Sequence, residues 1–225
     1  MATKKRLPPA DSAVATEPAP PQAARKARPR AVPPASRGAP GELPPVESYR
    51  CADITPQTRV SRYFTVRELT VSDLAQRRGI DNRFDSDAHL QAAVHLARSV
   101  LDPLREHHGG PFSPNSVFRS QALERELKGR PGSWISTSQH TEGCACDVEL
   151  PGLSTLDLAR WAAANLQPFD QIICECYDAA EGVNSGWVHI ARLAPGRGVN
   201  RGEQLSYVRD PKSGQWVYVT GFRGA

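Results

Sequence analysis

Long apolar runs are absent from this 225-residue chain, so no part of it is expected to cross a bilayer as a helix. The basic start, Met1 to Arg6, leads into Pro-rich polar sequence and lacks the apolar stretch of a secretory signal. The expectation is synthesis and retention in a cytoplasm, unless some other route releases the protein. A complete set of paired cysteines is also missing. Five are present, and an odd number without a signal argues against a disulfide framework. Large apolar side chains are almost absent from residues 1–45, which are rich in Pro, Ala and Arg. Such a segment buries too little surface to offset its ordering entropy, so 1–45 is expected to be a disordered basic tail.

Surplus positive charge is missing everywhere else. The tail holds eight Lys or Arg against three acids, a surplus of five, while the whole chain is only +4. Residues 46–225 are therefore close to neutral, and charge alone does not make them a nucleic-acid-binding domain. The tail itself suits loose association with an anionic polymer, whether nucleic acid, wall teichoic acid or lipid headgroups.

Residues 46–225 are long enough for one domain with a proper core. Thr65 with Glu68, and Thr70 with Asp73, resemble caps for short helices that Gly79 ends near Arg78. Asp85 to Asp87 precede a longer helix in which Leu90, Val94, Ala97, Leu101 and Leu104 form an apolar stripe. Pro103 is expected to kink it, and Gly109-Gly110 to end it. A short strand is expected over 115–119, a short helix over 122–127 and a loop over 128–137. Further strands are expected over 144–150, 171–176 and 186–192, with a helix from Ser154 to Leu166 between the first two. A hairpin, 204–208 with 215–219, closes the chain. The order favours an α+β fold, a small antiparallel sheet flanked by helices.

The run SQHTEGCACD, Ser138 to Asp147, carries the chemistry. It places an imidazole, His140, seven residues before a carboxylate, Asp147, and His189 lies further on in the strand Gly186 to Arg192. Two imidazoles and one carboxylate can hold a catalytic Zn²⁺ with a fourth position open for water. Strand alternation puts Ala145 and Asp147 on one face and Cys144 and Cys146 on the other. Gly143 and Ala145 leave room for an ion and a substrate backbone. Trp187 shares the His189 face and could wall the site against water.

Four cysteines form the pairs Cys144/Cys146 and Cys174/Cys176. They could hold a structural Zn²⁺, but the usual pairs are separated by two or more residues. Small hydrophobes filling the back of the sheet are the better reading. His89 and His95 miss the i, i+4 spacing of a helical metal site.

Ser138, His140, Gly143, Ala145 and Asp147 match the pattern S-x-H-x-x-G-x-A-x-D, and Trp187-Val188-His189 matches W-x-H. With Phe118-Arg119-Ser120 and Phe169-Asp170-Gln171, residues of about 60–220 resemble the zinc D-alanyl-D-alanine carboxypeptidase and dipeptidase family. That family includes phage endolysins and related peptidoglycan peptidases with a Hedgehog/DD-peptidase fold. The resemblance implies Zn²⁺ ligands at His140, Asp147 and His189, and a carboxylate general base. Glu175, at a strand end, and Glu181, in a polar loop, both qualify. Rigidity favours Glu175. Arg119 is implied as the group that meets the substrate carbonyl or carboxylate, and Ser138 as one that orients ligands or substrate.

The resemblance thus implies a monomeric zinc peptidase that cuts D-alanyl linkages of the peptidoglycan stem or cross-link. It would be released by a holin or carried on a virion. The rival expectation is a non-catalytic, zinc-stabilised structural or wall-binding module of a phage particle.

Overall fold

The computed structural model describes residues 41–210 and 212–223. The tail expected over 1–45 falls mostly on residues 1–40 and so lies outside the described part. Six α-helices and five strands are present among the described residues: α1 Val66–Thr70, α2 Asp73–Arg78, α3 Asp87–Leu96, α4 Asp102–His108, α5 Gln121–Lys128, α6 Thr155–Asn165, β1 Ala145–Val148, β2 Gln171–Glu175, β3 Trp187–Ala191, β4 Glu203–Arg209 and β5 Trp216–Thr220. The fold is α+β, as the order of elements implies.

The helices begin and end where their side chains allow. Thr65 and Glu68 form the capping box of α1, with the Glu68 carboxylate accepting from the Thr65 amide at 2.9 Å. The cap of α2 is Ser72 and not Thr70: its hydroxyl accepts from the Ala75 amide. Near Pro103, where a kink is expected, the helix changes its winding. A π-helical turn, Ala97–Leu101, precedes the proline, and Pro103 occupies the first turn of α4. Pro103 has no amide to give the Ser99 carbonyl four residues back, and the wider turn removes the ring's clash with it. That carbonyl instead accepts from the Arg192 guanidinium at 3.4 Å. The stripe Leu90, Val94, Ala97, Leu101 and Leu104 is fully buried.

The sheet has the order β1-β3-β2-β4-β5. Contrary to the antiparallel expectation it is mixed, because β2 and β4 run parallel. β3 is flanked on both sides, by β1 and β2. The chain leaving β3 beside Gln171 must therefore return to the free edge of β2, and entering there at Glu203 it runs with β2.

Alternation then gives the sheet two unlike faces. Cys146, Val148, Ile172, Cys174, Val188 and Ile190 belong to the hydrophobic core, where α6 packs on β2 and β3. The other face carries Asp147, His189, Glu175 and Trp187. The segment 115–119 is not the expected strand. It makes one bridge, Ser116 with Asp147, where the Asn115 amide also donates to the Asp147 carbonyl, while the amides of Phe118 and Arg119 go to the Leu69 and His140 carbonyls. It is a strap across the edge of β1.

Candidate active site

Asp147 is fixed from both sides. Across β1–β3 it stands directly opposite His189, and on its free edge its amide donates to the Ser116 carbonyl at 2.8 Å. His140 enters from a 3-10 turn, Gln139–Glu142, whose cap is Ser138; the Ser138 hydroxyl accepts from the His140 amide. Ser138 thus shapes the turn that carries His140. Gly143 ends that turn with φ +71°, and a Cβ there would lie 2.4 Å from the His89 carbonyl oxygen of α3. The space expected for an ion at Gly143 is taken by a helix backbone instead. Glycine is needed there so that the turn can pack on α3.

His140, Asp147 and His189 converge, all three buried. His140 Nε2 lies 3.2 Å from Asp147 Oδ1 and 3.2 Å from His189 Nδ1, and the last two are 3.0 Å apart. A tetrahedral ion with bonds of about 2.0–2.1 Å to nitrogen or oxygen spaces its ligand atoms roughly 3.3 Å apart. This triangle fits such an ion. The tautomer of His140 fits too. Its Nδ1 lies 2.7 Å from the Val117 carbonyl oxygen, to which it donates, so Nε2 keeps its lone pair toward the cluster. Burial pushes the His140 pKa down despite the Asp147 charge, which keeps the ring neutral.

Asp147 is held well below the usual carboxylate range. Burial opposes its charge, but the imidazoles and the Arg119 guanidinium beside it outweigh that. Arg119 is gripped by the protein itself. Nη2 donates to Asp147 Oδ2, Nη1 to Glu124 Oε1 at 3.1 Å, and Nε to Ser116 Oγ at 2.7 Å. Burial works against its charge, and the two carboxylates more than restore it.

Glu124, fully buried on α5, escaped the sequence reading, since a Glu in a polar helix reads as solvent-facing. Asn82 was another. Its side chain donates to the Thr70 and Phe118 carbonyls and accepts from the Ser120 amide, fixing the backbone on both sides of Arg119.

Glu175 ends β2 directly opposite Trp187 on β3 and level with Tyr207 on β4. Burial between these rings, and then the Asp147 charge, raise its pKa to about 7, although His189 and Arg119 pull it down. Gly186, with φ +69°, lets the chain re-enter β3 against Glu175, because a Cβ there would lie 2.0 Å from the Glu175 carbonyl oxygen. Glu181 is exposed in the loop between β2 and β3, in a recess with Tyr177, Arg209 and Trp216. The Trp187 indole N–H is buried without a partner among the described residues.

The cysteines are free thiols. No second group of three His, Cys, Asp or Glu side chains poised for a metal occurs among the described residues. The cysteine metal site therefore falls, and Cys146 and Cys174 fill the core as small hydrophobes.

Residues 62–191 match the family Peptidase M15. They are more than half of the chain and contain every residue of the cluster. The chain belongs to the M15 peptidase family. It is thus a metallopeptidase, with a His-Asp-His cluster suited to the metal that M15 peptidases require. No curated protein and no solved structure matches it. No helix among the described residues of this M15 peptidase is long and apolar enough to cross a membrane.

Proposed function

We propose that this M15 peptidase is a zinc enzyme that hydrolyses peptide bonds of peptidoglycan, with D-alanyl linkages of the stem or cross-link as its target. His140 Nε2, Asp147 Oδ1 and His189 Nδ1 are the ligands. The observation that carries the reading is a triangle of two imidazole nitrogens and one carboxylate oxygen with edges of 3.0–3.2 Å, beside a carboxyl group raised to about 7.

Bound Zn²⁺ supplies Lewis acidity, which lowers the pKa of water and polarises the scissile carbonyl. The chain's own residues do the rest. Glu175 accepts the proton of the attacking water as its oxygen adds to the carbonyl carbon. It then delivers that proton to the leaving amine as the C–N bond breaks. A carboxyl group with a pKa near the working pH suits both transfers. Arg119 holds Asp147 Oδ2, which leaves Oδ1 to the cluster, and its remaining N–H groups serve the substrate oxygen. Trp187 shields Glu175 from water.

Purified peptidoglycan is the test substrate, with release of new amino groups as the readout. Hydrolysis that a chelator abolishes and Zn²⁺ restores is expected. Equal hydrolysis with and without chelator would end the zinc reading. No hydrolysis by the zinc-loaded chain would favour the non-catalytic wall-binding role, for which no residue of the site speaks.

A further inference from the structure

The hairpin β4–β5 lies beyond residues 62–191, yet the sheet register brings it to the site. Trp187 pairs with Glu175, Glu175 with Tyr207, and Tyr207 with Tyr218. Directly opposed residues share a face. These four therefore form one row across four strands, with Glu175 in its middle. The neighbouring row on the same face contains Asp147 and His189.

The rings of the hairpin contact one another on this face, Tyr207 stacked on Trp216 and tilted against Tyr218. Tyr207 lies between Trp216, at 5.4 Å and 24°, and Tyr218, at 4.4 Å and 32°. The Arg209 guanidinium sits 5.4 Å from the Trp216 ring and covers that end of the stack. The other end is open. Tyr218 is 58 % exposed, a large ring left to solvent at the end of a row whose other members are half-buried. Its neighbours hold it in place, so a ligand meeting it loses little side-chain freedom on binding.

We infer that the β4–β5 hairpin is the substrate-binding wall beside Glu175, and that Tyr218 holds the peptide segment flanking the scissile bond. The inference rests on the peptidase reading for the identity of that segment. A flat ring offers surface to small apolar side chains, and the phenol offers one donor to a main-chain carbonyl. Partial burial raises the phenol pKa, and so do the charges of Glu175, Tyr207, Cys176 and Asp147. The hydroxyl therefore stays protonated and sits within the field of the two site carboxylates. Continuity of one sheet face, from the ligand cluster through Glu175 to Tyr218, is what makes the occupant the substrate and not a separate partner.

The test compares the full chain with Tyr218→Ala and Tyr218→Phe, zinc-loaded, on soluble peptidoglycan fragments. KM is expected to rise about tenfold for Tyr218→Ala and about threefold for Tyr218→Phe, with kcat within twofold of the parent. These sizes suit loss of one stacked ring or one hydrogen bond. An unchanged KM, or a loss confined to kcat, overturns the inference while leaving the peptidase reading intact. A parallel arm uses chelated protein and cosedimentation with insoluble peptidoglycan. There the parent should pellet and Tyr218→Ala should stay in solution. If the zinc-loaded parent hydrolyses nothing, the peptidase reading fails, and this arm alone decides. Loss of pelleting keeps the hairpin as the peptidoglycan-binding surface; equal pelleting removes it.

Discussion

Asp147 and His189 stand directly opposite each other on β1 and β3, with Oδ1 and Nδ1 3.0 Å apart. Backbone pairing brings these two side chains together on one sheet face, and His140 joins them from a turn. Zinc should therefore stabilise the folded chain. A free concentration of 100 Kd adds about 2.7 kcal/mol. Thermal unfolding with and without Zn²⁺ is expected to show a rise for the parent and none for His189→Ala. An equal rise in both would place the ion elsewhere.

Arg119 and Glu124 form a buried pair, with Asp147 on the other side of the guanidinium. Removing one partner leaves a charge without compensation, which typically costs about 3–5 kcal/mol. Arg119→Met should lose stability on that scale in urea titrations. Arg119→Met with Glu124→Leu should recover part of it, because both charges then leave the interior. A double variant no better than the single one would show that Glu124 is not paired in solution.

The fold class was legible in the sequence because periodicity and caps are local. The apolar stripe from Leu90 to Leu104 and the Thr65–Glu68 box need no tertiary information. The three residues of the His-Asp-His cluster were legible through their spacing, through the resemblance their motifs carry and through the strand alternation that separated Asp147 from Cys146. What escaped depended on distant partners. The strap at 115–119 has strand-like composition, but Leu69, His140 and Asp147 claim its hydrogen bonds. Gly143 looked like room for an ion until α3 was seen to fill the space. Glu124 gave no signal, since only its burial against Arg119 distinguishes it from an exposed helix residue.

Glu175 gives the metal-free protein a characteristic pH response. Its pKa rises from 4.5 to about 7 on folding. Between those values the folded chain keeps a proton that the unfolded chain has released. Stability therefore falls as pH rises through this window, by up to about 3 kcal/mol once above it. Asp147 shifts the other way and acts at lower pH, below its ordinary 3.8. Urea midpoints of chelated protein should decline from pH 5 to pH 8, and Glu175→Gln should flatten the decline. An identical slope in the variant would assign the effect to another group.

The thiols should be inert where they are buried. Burial raises Cys146 well above the ordinary thiol range and takes Cys174 to about 12. A maleimide at neutral pH should label Cys51 and Cys176 slowly and leave Cys144, Cys146 and Cys174 untouched until the chain is denatured. Rapid labelling of Cys146 in the folded protein would contradict its place behind the sheet.

The most direct test of the site as a whole is zinc content and peptidoglycan hydrolysis measured together on Glu175→Gln. The substitution keeps the shape of the side chain and removes its proton transfer. One zinc per chain is predicted, as in the parent, with hydrolysis reduced about 10²–10⁴-fold. Full zinc with undiminished hydrolysis would contradict the account and move the base to Glu181.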